Sequence, residues 1–234
     1  MIDGILLIDK EKGITSYDVI RKLKYLLPRK YKIGHAGTLD PFATGLLIIL
    51  VGKATKLMDA IHGLEKEYEV TAEFGYATDT QDCTGEKINT TPTTSPISKE
   101  ELEIKIKENF LGNISQLPPI YSAKKVNGQK SYDLARQGKE VVLQPRGVKV
   151  SMFEIAKYDW PFVTFRIACS TGTYIRTLVN DLGERVGTHA TAVALRRTSI
   201  GEFNVDEAIS TKAINESSLE SIMGIDKVKE ILKK

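Results

Sequence analysis

The chain has 234 residues, enough to bury a sizeable core as one large domain or as two small ones. Hydrophobic residues make up 41% and charged residues 27%, which is typical of soluble globular proteins, and no apolar run approaches the roughly 20 residues that cross a bilayer. The net charge of +3 is too small to indicate a nucleic-acid partner by itself, so the distribution of the basic residues matters more.

The N-terminus and the cysteines predict a cytoplasmic protein. An acid, Asp3, stands where a secretory signal peptide would carry basic residues. The two cysteines, Cys83 and Cys169, are too few for a disulfide framework and lack the spacing of metal ligands. We therefore expect both to be reduced thiols.

Hydrophobic periodicity and turn residues predict strands that alternate with helices. Hairpin-like strands occur together with strands joined by helices, which favours an α+β fold over a doubly wound parallel sheet. In chain order, the predicted elements are a strand at 4–9, a helix after the N-cap Ser16 that Pro28 stops, a strand at 46–51, a helix at 53–61, a strand at 67–74, a loop at 77–97, a helix after Ser98, a short helix at 131–137, a hairpin of 149–158 with 162–169, and a helix at 173–186.

The loop from Gly34 to Gly45 is the most informative segment. Its glycines permit backbone conformations with positive φ or a close approach to a ligand. Asp40 precedes Pro41, which narrows the conformations open to the acid. A carboxylate held this way suits a nucleophile or a general base, but Asp-Pro also initiates ordinary turns, and both interpretations remain open. The spacing from Gly45 to Gly52 does not fit a phosphate-binding loop.

Basic residues concentrate in two segments. Residues 124–149 contain seven basic and two acidic residues, and residues 21–32 contain six basic residues, no acid and two tyrosines. Basic side chains among aromatic rings are typical of surfaces that contact phosphates and stack on bases. A solvated charged face remains the alternative for either segment alone.

Several segments, in order, resemble the motifs of TruB-type tRNA pseudouridine-55 synthases. They are residues 4–16, 34–45, 66–68, 77–82, 121–125 and 170–178, and the resemblance covers about residues 4–203. It implies the pseudouridine synthase fold, with a mixed, largely antiparallel sheet flanked by helices. It also implies conversion of a T-loop uridine to its C5-glycosidic isomer without a cofactor. The implied partner is the tRNA T-arm, with no membrane, no metal and no protein partner, and the protein is expected to be a monomer.

The resemblance also implies a set of site residues. Asp40 is the nucleophile, and whether it first attacks the ribose C1′ or the base stays open. Arg176 lies beside it, since a nearby cation favours the charged form of a carboxylate. The implied catalytic residues are Asp40, Tyr68, Tyr174 and Arg176, and the implied base- or RNA-contacting residues are His35, Lys10, Asp82, Leu195, Lys124 and Lys125.

The chemistry requires the target base to leave its stack. The resemblance implies that His35 fills the vacated space, that Tyr68 stacks on the base, and that the glycines of the Asp40 loop leave room for the flipped nucleotide. Each role has a structural alternative. A lone histidine is often structural, Tyr68 and Leu195 are placed as core residues would be, and Arg176 fits a surface helix.

Two features depart from the family pattern. Glu11 stands where relatives usually have proline, which predicts a more flexible loop. Residues 1–204 are expected to form the catalytic domain, with an RNA-binding insertion at about 124–149. Residues 205–234 are expected to form a short helical tail rather than a full PUA-like RNA-binding domain. The alternative functions are a tRNA-binding or tRNA-folding factor, or a related synthase that acts on another RNA.

Overall fold

The computed structural model describes residues 3–93, 96–122, 125–126, 128–138 and 141–233. The chain forms two compact units, one of residues 1–69 with 195–234 and one of residues 70–194. The predicted α+β class is confirmed, because helices accompany a mixed sheet of mostly antiparallel strands. Within the described ranges, no helix is both long enough and apolar enough to span a membrane.

Strands and helices alternate as predicted, but strands at 33–36, 112–116 and 190–200 were not predicted, and the helix predicted at 53–61 is a 3₁₀ turn followed by a short α-helix. The α-helices are α1 (Ser16–Leu26), α2 (Met58–Gly63), α3 (Lys99–Asn109), α4 (Ser131–Arg136), α5 (Ile175–Arg185) and α6 (Ile225–Ile231). The strands are β1 (Gly4–Lys10), β2 (Ile33–Ala36), β3 (Thr44–Val51), β4 (Lys66–Phe74), β5 (Tyr76–Thr78), β6 (Lys87–Thr90), β7 (Gly112–Gln116), β8 (Lys125–Val126), β9 (Gln129–Lys130), β10 (Arg146–Asp159), β11 (Phe162–Cys169), β12 (Ala190–Ile200), β13 (Phe203–Asn204), β14 (Ile209–Ser210) and β15 (Met223–Gly224). Short 3₁₀ turns occupy Gly52–Leu57, Val205–Glu207, Thr211–Ala213 and Glu216–Ser221.

The loop predicted at 77–97 is wrong in part, because it contains paired strands. β5 and β6 pair antiparallel, with Tyr76 opposite Thr90 and Ala77 opposite Asn89. All residues of β6 are exposed. An exposed strand needs no apolar face, so the alternating pattern that identifies half-buried strands is absent.

β3 is the central strand of the first unit. After Thr44, every residue of β3 is buried, as the continuous apolar run predicts. β1 pairs with it antiparallel, from Gly4 opposite Val51 to Lys10 opposite Gly45. β2 pairs antiparallel with its second half, while β12 runs parallel to its start, with Arg197 opposite Gly45. The start of β3, where the Asp40 loop enters, therefore lies between the ends of β1 and β12.

α1 begins one residue earlier than predicted, at Ser16. Thr15, not Ser16, is the N-cap, and its side chain and that of Asp18 form a reciprocal capping box. The predicted apolar face is confirmed, since Val19, Ile20 and Leu23 are buried. Ser16 is buried and free for a different contact, which is described with the site below.

The C-terminal segment belongs to the first unit. β14 pairs parallel with β1, with Ile8 opposite Ile209 and Asp9 opposite Ser210. β15 pairs antiparallel with the start of the same strand. The segment predicted as a helical tail thus contains α6 and also two short strands that join the sheet of this unit.

The second unit is built on strands in the order β4–β11–β10–β7, with residues 70–74 of β4 inside the unit. β10 and β11 form the predicted antiparallel hairpin. Phe153 packs edge-on against Phe110 and Phe165, with ring centroids 5.9 and 5.2 Å apart. α5 buries most of its residues, including Leu178 and Leu182.

Candidate active site

The Asp40 loop is held by hydrogen bonds on both sides of the acid. The Ser16 hydroxyl donates to the carbonyl oxygen of Leu39 (3.1 Å) and accepts from its N–H (2.9 Å). The N–H of Gly13 donates to the carbonyl oxygen of Pro41 (2.7 Å). Asp40 itself is half-buried. The loop therefore presents its carboxylate from a backbone that has little freedom to move.

The side chain of Arg197 hydrogen-bonds the backbone on both sides of Asp40. It is 1% exposed, and its Nε donates to the carbonyl oxygen of Leu46 (2.7 Å) while its Nη2 donates to that of Gly37 (3.0 Å). One guanidinium thus joins the two ends of the segment that contains Asp40. The sequence did not indicate this residue, because no strand was predicted at 190–200.

The glycines of the loop accommodate Arg197 and not only a ligand. Gly45 has φ +103°, and a Cβ there would lie 2.2 Å from the carbonyl oxygen of Arg197. Gly37 has φ +90°, and its Cβ would lie 3.3 Å from a guanidinium nitrogen of the same residue. Room for a flipped nucleotide is therefore not needed to explain these two glycines, because the chain's own β12 occupies the space.

Lys10 is the second buried cation of this unit. It is 0% exposed, and its Nζ donates to the carbonyl oxygens of Glu11 and Ile14, both at 2.9 Å. Burial lowers the pKa of Lys10 to about 8, and the nearby negative charge of Asp40 opposes that shift. The expected RNA contact of Lys10 stays a prediction, and in this structure its ammonium group has no exposed surface. Its charge acts on Asp40.

His35 lies on β2 opposite Ile49 and is half-buried. Its Nδ1 is buried without a hydrogen-bond partner among the described residues. Burial is the largest cause of a lowered pKa for His35, and the charges of Arg197 and His62 add to it. The imidazole is therefore neutral near pH 7, which suits an apolar contact better than a phosphate contact.

Tyr68 and Leu195 also lie in the first unit. Tyr68 is half-buried on β4, between the exposed residues Glu67 and Glu69. Leu195 is 7% exposed on β12, and its carbonyl oxygen accepts from the hydroxyl of Thr44 at 3.5 Å. The burial of Leu195 is compatible with an ordinary core position as well as with an apolar pocket.

Arg176 and Asp82 form a buried pair in the second unit. Arg176 is 3% exposed at the start of α5, so the surface-helix alternative is wrong. Its Nη1 lies 3.4 Å from Oδ2 of Asp82 and donates to the carbonyl oxygen of Thr80, and its Nη2 donates to that of Tyr121 (3.0 Å). Oδ1 of Asp82 accepts from the N–H of Thr84 (2.9 Å). Both side chains are held in one orientation.

Tyr174 is the N-cap of α5 and is half-buried. Its N–H donates to Oε1 of Gln116 (2.8 Å), and its carbonyl oxygen accepts from Nε2 of the same side chain (3.0 Å). The guanidinium of Arg146 lies 5.1 Å from its ring centroid. Gln116 and Arg146 were missed, because no local pattern links them to Tyr174.

The predicted residues divide between the units. Within the first unit the structure brings Lys10 and Asp40 together, and within the second it brings Asp82 and Arg176 together. The expected pairing of Asp40 with Arg176 joins residues of different units and stays a prediction. Lys124 and the side chain of Lys125 lie outside the described residues. Among the residues described, no cluster of three or more His, Cys, Asp or Glu side chains forms a metal site.

Part of the basic 21–32 segment lines a cavity of about 370 Å³ in the first unit. Its lining includes four lysines, Lys30, Lys32, Lys53 and Lys56, together with Tyr31 and Thr55. At the start of the segment, Arg21 and Lys24 lie 5.6 and 5.7 Å from the ring centroid of Tyr17 on α1. The segment therefore offers a concentrated positive surface with an aromatic component.

Comparisons with known proteins show the family of this chain. The chain matches the TruB family pseudouridylate synthase N-terminal domain over residues 24–175 and the tRNA pseudouridylate synthase B C-terminal domain over residues 176–229. It is 45% identical over 221 residues to tRNA pseudouridine synthase B of Opitutus terrae, covering 94% of this chain and 90% of that protein. It is 43% identical over 230 residues to tRNA pseudouridine synthase B of Clostridium acetobutylicum, covering 98% of this chain and 78% of that protein.

A solved structure shares the fold. A chain from a crystal structure of a Cbf5-Nop10-Gar1 complex superimposes with a TM-score of 0.73 and 26% identity, and the match covers 98% of this chain but only 62% of that one. The N-terminal family match alone spans more than half of the chain, and the identity to the curated relatives extends over nearly all of it. This chain therefore belongs to the TruB family of pseudouridylate synthases.

Proposed function

We propose that the protein is a tRNA pseudouridine synthase that isomerises the uridine at position 55 of the T-loop, with Asp40 as its nucleophile. The observation that carries this proposal is the placement of Asp40. Its loop is closed by the buried Arg197, and its carboxylate interacts with the buried ammonium of Lys10. A half-buried carboxylate on a restrained loop, under the charge of a buried ammonium, suits chemistry better than a solvated turn does.

The reaction needs no external group. The bond between N1 of uracil and C1′ of the ribose breaks, a bond from C5 to C1′ forms, and the C5 proton is exchanged for one on N1. Asp40 divides this exchange into two easier steps through a covalent adduct. The adduct forms either at C1′ or on the base, and both routes return the carboxylate unchanged.

Charge around the carboxylate supports the first step. Lys10 has no exposed surface, so its charge acts on Asp40 with little screening by solvent. In this proposal Arg176 pairs with Asp40 during the reaction, and Asp82 orients the guanidinium through the 3.4 Å contact. Tyr174 is proposed to line the same pocket, with its backbone fixed by Gln116.

Recognition of the flipped base is assigned to the first unit. Tyr68, which is half-buried, is proposed to stack its ring on uracil, and Leu195 to supply an apolar contact. His35 is neutral near pH 7 because burial lowers its pKa, so it can occupy the space between bases at a smaller desolvation cost than a cation. The few kcal/mol needed to unstack a nucleotide are offset by such contacts.

The rest of the T-arm is proposed to contact basic surfaces. Lys30, Lys32, Lys53 and Lys56 line one cavity, and each phosphate contact of this kind adds salt-dependent affinity. The basic segment at 124–149, with Lys124 and Lys125, is proposed to grip the T-arm through its shape and phosphates. In the same proposal the protein acts as a monomer in the cytoplasm.

One experiment tests the substrate and the position together. An unmodified tRNA transcript is incubated with the protein, digested, and analysed for pseudouridine by position. A transcript with cytidine in place of uridine 55 is the matched control. We expect pseudouridine only at position 55 of the first transcript. Tight binding of the tRNA without product would favour the binding-factor alternative, and product at other positions would favour a synthase for another RNA.

A further inference from the structure

The C-terminal segment contacts the backbone next to Lys10 through Thr211. β14 runs parallel beside the end of β1, with Asp9 opposite Ser210. This register brings Thr211 next to the backbone that follows Lys10. Thr211 is 1% exposed, and its Oγ1 accepts a hydrogen bond of 3.3 Å from the N–H of Glu11.

Two further contacts fix Thr211 and Glu11 in place. The Nζ of Lys22, on α1, donates to the carbonyl oxygen of Thr211. The ammonium of Lys212 lies 3.5 Å from Oε2 of Glu11. The Lys212 ammonium is largely exposed, so this ion pair contributes little, whereas the Thr211 bond is partly buried. The loop predicted to be flexible because Glu11 replaces proline is therefore anchored.

The backbone of Glu11 links Thr211 to Lys10. Its N–H is held by Thr211, and its carbonyl oxygen accepts from the Nζ of Lys10 at 2.9 Å. Lys10 in turn interacts electrostatically with Asp40. The carbonyl oxygen of Glu11 is one of the two backbone acceptors that hold the Lys10 ammonium. A displacement of the Glu11 backbone would therefore move that ammonium relative to Asp40.

We propose that Thr211 is a positioning residue for the reaction: its hydroxyl holds the Glu11 N–H and thereby orients the Glu11 backbone, whose carbonyl oxygen keeps the Lys10 ammonium close to Asp40. The proposal rests on the proposed function for its catalytic readout. It assigns a role in catalysis to the C-terminal segment, which otherwise contributes strands and packing to the first unit.

The hydroxyl of Thr211 needs the N–H of residue 11 as its hydrogen-bond donor. A proline at position 11 has no N–H, so in a Glu11→Pro chain the hydroxyl of Thr211 has nothing to accept. Lys10 ends a β-strand, which is the backbone conformation that a following proline requires. Glu11→Pro therefore removes the link while the fixed φ of proline restrains the loop by another means.

The test is a double-mutant cycle with Thr211→Val and Glu11→Pro, read by tritium release from C5-tritiated T-arm RNA. We expect Thr211→Val to lower kcat about tenfold in the chain with Glu11, with KM within about twofold. In the Glu11→Pro chain the same substitution should change kcat by less than about twofold. Thr211→Ser, which keeps the acceptor, should restore most of the loss.

Thr188→Val is the matched control, since Thr188 is a largely buried threonine whose hydroxyl has no partner among the described residues. It should leave kcat unchanged. An equal loss from Thr211→Val in both backgrounds, or no loss in either, would overturn the positioning role. A rise in KM with an unchanged kcat would overturn it as well.

Hydrogen exchange in the wild-type chain tests the bond without any substitution. The Glu11 amide should be protected from exchange, and a freely exchanging amide would contradict the proposal even if Thr211→Val does not fold. If the wild-type protein releases no tritium, the proposed function fails, whereas the exchange measurement still decides the Thr211 contact.

Discussion

The Nη2 atom of Arg197 donates a hydrogen bond of 3.0 Å to the carbonyl oxygen of Gly37. The same guanidinium bonds the carbonyl oxygen of Leu46, on the far side of Asp40. A single buried side chain from β12 thus holds the Asp40 loop at the start of β3. The geometry of the proposed nucleophile depends on a residue that is distant in sequence and makes no contact with substrate in this account.

Replacing Arg197 should therefore loosen the loop. Arg197→Met keeps much of the side-chain volume but leaves the carbonyl groups of Gly37 and Leu46 without their donor. We expect a loss of about 2–4 kcal/mol in the free energy of unfolding, measured by urea titration, together with a lower kcat. Arg196→Met is the control, because Arg196 pairs with Asp9 at a partly exposed site and should lose at most about 1 kcal/mol. Equal losses in the free energy of unfolding for the two variants would show that the Arg197 hydrogen bonds do not hold the loop.

Gly45 should tolerate no side chain. Gly45→Ala places a Cβ 2.2 Å from a backbone oxygen at φ +103°, so both sterics and backbone conformation oppose it. We expect a loss of about 3 kcal/mol or more in the urea-derived free energy of unfolding. Gly63→Ala, where a Cβ meets nothing within 4 Å, should change stability by less than about 1 kcal/mol. A tolerated Gly45→Ala would show that β12 does not approach this closely.

The pH dependence should report on Lys10. Burial lowers its pKa to about 8, with Asp40, Arg197, Glu11 and Asp18 as the charged groups around it. The single-turnover rate of the wild type should fall as the pH rises through about 8, because the ammonium beside Asp40 loses its proton. Lys10→Met should be slow at every pH and should lack this limb. An identical alkaline limb in both proteins would assign it to another group.

The free energy of unfolding should rise with pH over the range in which the rate falls. The pKa of Lys10 is lower in the folded chain than in the unfolded chain, so the unfolded state binds the extra proton between about pH 8 and 10.5. The cost of the buried ammonium is fully present below about pH 8 and disappears as the pH rises through that window. Relative to Lys10→Met, the wild type should therefore become more stable with rising pH, as measured by urea titration.

His35→Ala should separate base flipping from chemistry. If His35 fills the space that the uridine leaves, its removal should slow turnover on a folded stem-loop more than on an RNA whose target uridine is already unstacked. We expect a difference of about tenfold between the two substrates in single-turnover tritium release. Equal slowing on both RNAs would count against the flipping role.

Elements governed by local patterns were predictable from the sequence. The unbroken apolar run of β3 and the apolar face of α1 follow from periodicity, and Asp40 follows from motif resemblance. Arg197 and Thr211 were not predictable, because their contacts depend on which strands pair and in what register. β12 runs beside β3, and β14 runs beside β1, although each pair is far apart in the chain. The burial of Lys10 has the same origin, since its motif marks it as basic but not as enclosed.

The identity of the nucleophile is the central claim, and single-turnover tritium release tests it most directly. Wild-type protein and Asp40→Asn are mixed in excess with C5-tritiated T-arm RNA, and binding of the RNA is measured in parallel. We expect the wild type to release tritium, and Asp40→Asn to bind the RNA but release no tritium above background. Release by Asp40→Asn at a rate near that of the wild type would contradict the assignment of Asp40 as the nucleophile.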